Sequence, residues 1–158
     1  MLPHEEFTIA TTLDGDRVCK RLLEVVEPVQ MSRRLWDIPD KPYEGEIGDR
    51  TFRISRILNN RNSFAPIIIG RIKEQGTGSQ IEIEMKLDKW VKFFILFWLG
   101  AVGIGCIGVA IAILSRQRFE LPLLIPYGMF IFGALLPFVG FKPEAHRSKQ
   151  FLINLFPD

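Results

Sequence analysis

Cysteine is scarce in this chain, and charge of a single sign is missing where a nucleic-acid binder needs it. The two cysteines, Cys19 in a polar stretch and Cys106 in an apolar one, leave no basis for a disulfide frame or thiolate metal site and read as reduced packing residues. Residues 1 to 92 carry 15 Lys/Arg against 15 Asp/Glu. With no excess of basic charge to displace counterions, DNA and RNA drop out as partners. No nucleophile elbow, phosphate loop, HExxH or CxxC occurs, so the sequence offers no catalytic constellation and no cofactor site. His4 falls in an expected mobile terminus, and His146 has no second ligand at metal-binding spacing, so no metal site is expected either. The opening MLPHEEFTIATTLDGD puts acids where a secretory signal has a basic lead and contains no apolar run of the needed length, so no cleavable signal is expected.

What the chain does have is two long apolar runs. Phe93 to Ser115 gives 23 residues without a formal charge, and Leu121 to Phe141 gives 21. A helix rising 1.5 Å per residue crosses the roughly 30 Å hydrocarbon layer in about 20 residues, so each run is long enough to span. A buried helix of a soluble protein usually keeps a polar stripe, and neither run has one. Pro122 falls in a first turn, whereas Pro126 and Pro137 predict a bend near each end of the second run, a disruption that a bilayer tolerates. The connection Ser115 to Glu120 only reverses direction, which predicts antiparallel neighbours, a transmembrane α-helical hairpin. Neither run holds an ionisable side chain to mark an ion or proton path.

Basic residues set the orientation. Lys86, Lys89, Lys92, Lys142, Arg147 and Lys149 flank the spans on the side of the termini, against Arg116 and Arg118 in the loop. That bias predicts a multi-pass protein of the cell (inner) membrane with both termini cytoplasmic. Trp90, Trp98 and Tyr127 lie near the span starts as interfacial anchors, Trp98 being deep for that role. Ala101, Gly105, Gly108 and Ala112 recur at i, i+4, i+7 and i+11 and form a face that admits another backbone. Its occupant is either the chain's own second span, through Gly128, Gly133 and Ala134, or a second copy.

The remainder reads as a small α+β domain over residues 1–90, with the hairpin at 91–141 and an amphipathic helix at 142–158 returning to the domain. Phe7 to Leu13 reads as a strand ending at Asp-Gly. Asp14 or Asp16 then caps a helix with Val18, Leu22 and Val25 on one face, stopped by Pro28. Residues 31–42 are irregular. Strands follow near Glu46, from Thr51 and from Ala65, with a turn at Gly76-Thr77-Gly78. In the last strand Ile81, Ile83, Met85 and Leu87 alternate with Glu82, Glu84, Lys86 and Asp88, giving one buried and one wet face of an antiparallel sheet. The tail helix starts at Pro143 and lines up Ala145, Ser148, Leu152 and Leu155, to rest on the sheet or in the lipid interface.

A strand, a helix, a meander and a closing helix resemble the order of helix-grip domains, with a membrane hairpin inserted before the last helix. Separately, the run RNSFAPIIIGRI followed by hairpin, span and loop is similar to small two-span bacterial membrane proteins of unknown function. The first resemblance implies a fold order and no pocket; the second implies a bacterial source and no activity.

The densest polar cluster is Arg56, Asn59, Asn60, Arg61, Asn62 and Ser63. Arg56, Arg61 and Asn62 could grip a lipid headgroup or another anion; the simpler reading is that Asn and Ser serve the turn, with arginines attracted to any anionic bilayer. The functional expectation is a non-enzymatic accessory or adaptor protein at the membrane, whose partners are the lipid bilayer and a membrane protein or second copy. The rival expectation is a module binding lipid or another apolar ligand between sheet and helix.

Overall fold

The computed structural model describes residues 2–30, 38–58, 62–116 and 120–157. Their elements are β1 (His4–Thr11), α1 (Gly15–Val25), β2 (Val26–Glu27), β3 (Tyr43–Ile47), β4 (Thr51–Arg56), β5 (Ile67–Gln75), β6 (Gly78–Lys86), α2 (Lys89–Arg116), a 3-10 turn at Leu121–Leu124 and α3 (Ile125–Leu155). The result is an α+β fold: a six-stranded sheet and three helices, two of them long and apolar.

The strands lie in the order β1-β6-β5-β4-β3-β2. Alternation in β6 holds residue by residue, with Ser79, Ile81, Ile83 and Met85 buried and their neighbours more exposed. Beside it, β1 pairs antiparallel from His4↔Lys86 to Thr11↔Ser79. On the other side β5 pairs from Ile67↔Lys86 to Gln75↔Gly78, and the tight turn between them places Gly76 at φ +59°, a conformation that favours glycine. Gly70, mid-strand in β5, lies under the Phe52 ring of β4, where a Cβ would stand 2.0 Å from the ring carbon Cζ; the missing side chain is what lets the aromatic lie flat on the sheet.

The sheet is mixed, which corrects the expected purely antiparallel arrangement. Val26 and Glu27 pair parallel to Tyr43 and Glu44. The cause is the helix: β1, α1 and β2 form a crossover from one sheet edge to the other, and a helical crossover delivers the chain pointing as it left. Asp14 caps α1 by accepting from Arg17 N at 2.8 Å, so of the two aspartates considered it is the first that starts the helix. Arg50 ties α1 to the sheet, reaching Asp16 at 3.0 Å and Glu74 at 2.7 Å.

The expected tail helix at Pro143 is not a separate element. Instead α3 runs unbroken from Ile125 to Leu155 with Pro137 and Pro143 inside it. Each internal proline removes one helical hydrogen bond, but Pro137, Phe141, Glu144, Ala145, Ser148 and Leu152 are all buried, and that packing holds the helix together across both. The last four turns of α3 cover the same sheet face as α1. Lys149 Nζ reaches Glu5 at 2.8 Å, Phe151 lies 5.1 Å from the Tyr43 ring, and Arg21 donates to Leu155 O at 3.4 Å. Val18, Leu22, Tyr43, Ile54, Ile68, Ile81, Met85, Leu152 and Phe156 form the core beneath.

Past Leu99 in α2 and before Pro137 in α3 the two helices leave this core. They touch in reverse chain order: Gly133 faces Trp98 and Leu99, Gly103 faces Phe130, and the Tyr127 hydroxyl donates to Cys106 O at 2.9 Å. Both are long and apolar enough to cross a membrane, and only 6% of each apolar window is buried within the protein. A core helix of a soluble protein would be mostly buried, so the greater part of each apolar stretch lies outside the core that the sheet builds.

Candidate functional site

β4, the segment after it, the start of α2 and the middle of α3 meet at one junction. Asp88 opens α2 by accepting from Trp90 N at 2.8 Å and pairs with Arg53 at 3.8 Å. Asn62 accepts from Phe64 N at 3.0 Å and donates from Nδ2 to Gly140 O at 2.9 Å, an Asx turn whose outer hydrogen bond clips the segment onto α3. The clip needs the glycine, because a Cβ at Gly140 would stand 2.7 Å from Phe64 Cβ. One turn further along, Glu144, with its side chain 10% exposed, holds Arg56 at 2.9 Å and Arg147 at 3.3 Å.

Above this clip lies an apolar crevice of about 340 Å³, walled by Phe64, Phe94, Trp98, Met129, Phe132 and Leu136. It continues into a wider mouth of about 640 Å³ that shares Phe64, Phe94 and Leu136 and adds Asn62, Ser63 and Trp90. No charged side chain lines either part. Lys89 and Lys92 at the start of α2, and Lys142 in α3, line neither part, and none has an acidic partner among the described residues.

Of the three residues expected to grip an anion, Arg56 is engaged by Glu144 and Asn62 by Gly140. Arg61, with Asn59 and Asn60, lies outside the described residues. The junction thus uses Arg56 and Asn62 to join sheet to helix, the work that a turn asparagine and a half-buried arginine do when a carboxylate is within reach. Of the small-residue face, Gly105 and Gly108 have open space where a Cβ would go, and Ala101 and Ala112 are exposed. The α3 helix packs on the neighbouring face through Gly103 and Cys106 instead. The space between sheet and helix, considered for an apolar ligand, is filled by Ala145, Ser148, Leu152 and Phe156.

One cluster escaped the sequence reading. His4 Nε2 lies 3.3 Å from Glu6 and 3.2 Å from Glu84, because β1 begins at His4 rather than Phe7 and the register sets Glu6 opposite Glu84. The i, i+2 spacing of His4 and Glu6 was the available signal. These three could hold a divalent cation, in competition with Lys86, whose Nζ lies 2.9 and 3.0 Å from the two Glu84 oxygens. That hydrogen bond holds the Glu84 carboxyl below the usual carboxylate range. Burial pushes the Cys19 thiol up, outweighing the nearby Arg50, which lowers its thiolate share at neutral pH.

No family model matches the chain, and neither a curated protein nor a solved structure is similar to it.

Proposed function

We propose that this protein is a membrane-anchored, non-enzymatic adaptor: α2 and the apolar part of α3 form a transmembrane hairpin, and the sheet domain stands on the cytoplasmic face of the cell membrane, serving assembly or regulation of a membrane complex. The observation that carries this reading is the unoccupied small-residue face of α2. Ala101, Gly105, Gly108 and Ala112 point away from α3, flanked by exposed Ile104, Ile107 and Ile111. In lipid, association is driven by close backbone approach and not by apolarity, so such a face suits a second helix. The helix-free face of the sheet, with Glu6, Thr8, Arg71, Glu82 and Glu84, gives the domain a second, polar surface toward the cytoplasm.

The test is crosslinking in native membranes followed by purification in mild detergent. The wild-type chain should come back with a membrane-protein partner or a second copy, and Gly105→Ile with Gly108→Ile should lose it. A lone monomer from the wild-type chain, or retention by the double variant, refutes the reading.

A further inference from the structure

We infer that His4, Glu6 and Glu84, on the helix-free face of the sheet, form a binding site for a divalent transition ion of the zinc class. The site lies in the sheet domain and does not depend on the membrane reading. His4 and Glu6 alternate onto one face of β1, and Glu84 stands directly across from Glu6 on β6, so strand register and not a loop places the three donors. Their ligating atoms all lie within 4.8 Å of one another. His4 Nε2 is 3.3 Å from Glu6 Oε1 and 3.2 Å from Glu84 Oε1, close to the edge of about 3.3–3.4 Å in a tetrahedron whose metal–ligand bonds are about 2.0–2.1 Å. The Glu6 side chain, 69% exposed, has room to turn and close the third edge.

The donor chemistry selects the ion. One imidazole nitrogen, which carries one hydrogen at most, stands between two carboxylate oxygens, and like charges directly opposite in a sheet cost stability. A cation among the three answers both: it neutralises Glu6 and Glu84 and takes the Nε2 lone pair. Mg²⁺ and Ca²⁺ prefer oxygen throughout, so the nitrogen favours a zinc-like ion. Lys86 is the internal rival, with Nζ 3.0 and 2.9 Å from the two Glu84 oxygens. Its hydrogen bond keeps Glu84 ionised, but its charge repels an incoming cation. Glu6 and Glu84 also line an open polar concavity of about 570 Å³ with Thr8 and Arg71, so the remaining coordination position faces solvent. Metal bound here ties the edge strand β1 to β6.

The test is a titration of the full chain, stripped of metal by a chelator and held in mild detergent, with Zn²⁺ alone, read by calorimetry and by melting temperature. The wild-type chain should take up a single equivalent even with Mg²⁺ in large excess, and should melt higher with it. His4→Ala and Glu6→Gln should each weaken binding by at least about tenfold, the lower end of what is lost with groups that only orient a ligand. Both side chains are exposed, so the metal-free melting temperature should stay the same in these variants. Glu5→Gln, on the opposite face of β1 beside Lys149, is the control and should bind as the wild type does. Lys86→Gln should bind about tenfold more tightly, because a unit positive charge no longer repels a divalent ion at close range. Zinc that binds His4→Ala and Glu6→Gln as well as the wild type is an adventitious ion only and overturns the site, as does failure of the wild-type chain to take up an equivalent. Unchanged or weaker binding by Lys86→Gln overturns the placement of the ion on Glu84.

Discussion

If the end of α3 completes the domain core, removing one buried side chain there must cost what a core cavity costs. Leu152 is fully buried on the sheet face, twelve residues beyond the Asn62 clip on Gly140. Leu→Ala at such a site loses transfer free energy and leaves a cavity, together about 2–5 kcal/mol. Near the middle of that range, about 3 kcal/mol corresponds to a fall of roughly 6–12 °C in melting temperature at about 2–4 °C per kcal/mol for a chain of this size. The measurement is thermal unfolding of the full chain in mild detergent, followed by the far-ultraviolet signal of the strands. Ile153, the adjacent residue at 42% exposure, is the control, and Ile153→Ala should change stability by no more than about 0.5 kcal/mol. Had the tail lain in the lipid interface, Leu152 would behave like its neighbour. Equal shifts for the two variants would therefore refute the packing of α3 on the sheet.

Three further outcomes are expected. Burial pushes the Tyr43 phenol above its ordinary range, outweighing Arg56 nearby; with the folded value raised, its contribution is complete below about pH 10 and lost as pH rises through the folded value, so absorbance near 295 nm should show Tyr43 ionising only as the domain unfolds, a feature absent in Tyr43→Phe. Arg56→Ala leaves Glu144 with Arg147 alone and should cost about 1–3 kcal/mol, less than for a fully buried pair because Arg56 is 31% exposed; a double-mutant cycle with Glu144→Ala that shows no coupling would dismiss the pair. In a chain lacking Cys19 and Cys106, Ser115→Cys should react with an impermeant maleimide from outside intact cells and Thr77→Cys should not; the reverse pattern inverts the proposed orientation.

Wherever local chemistry decided, the sequence was readable. Strict alternation from Ile81 to Leu87, the Asp14 cap and the Gly76 turn each state their own conformation, and all three stand in the structure. Composition alone marks α2 and α3 as apolar enough to cross a membrane. Distant contacts decided the rest. Val26 and Glu27 became a strand because Tyr43 and Glu44 offered an edge, and two residues carry no periodicity. Pro137 predicts a bend and Pro143 the start of a separate helix, yet α3 runs through both, with Phe141, Glu144 and Ala145 buried. The junction eluded sequence reading for the same reason: Asn62 and Gly140 are 78 residues apart, and nothing in either stretch announces the other. Arg56 as an anion grip was a fair inference from a turn, overtaken by a carboxylate 88 positions away.

An unbroken α3 also orders events during synthesis. The sheet face carrying Ile54, Ile68, Ile81 and Met85 is translated before either apolar helix, but Ala145, Leu152 and Phe156, which close it, follow both. A ribosome that has made the sheet has thus made an open core, and on the proposed membrane reading the cover arrives only on a helix that must first enter the bilayer. On that reading insertion and folding of the domain become one sequence of steps, with the sheet still uncovered while the apolar helices insert. A chain stopped after Phe141 should expose that apolar face and turn over rapidly, and quality control would read failed insertion as an uncovered sheet.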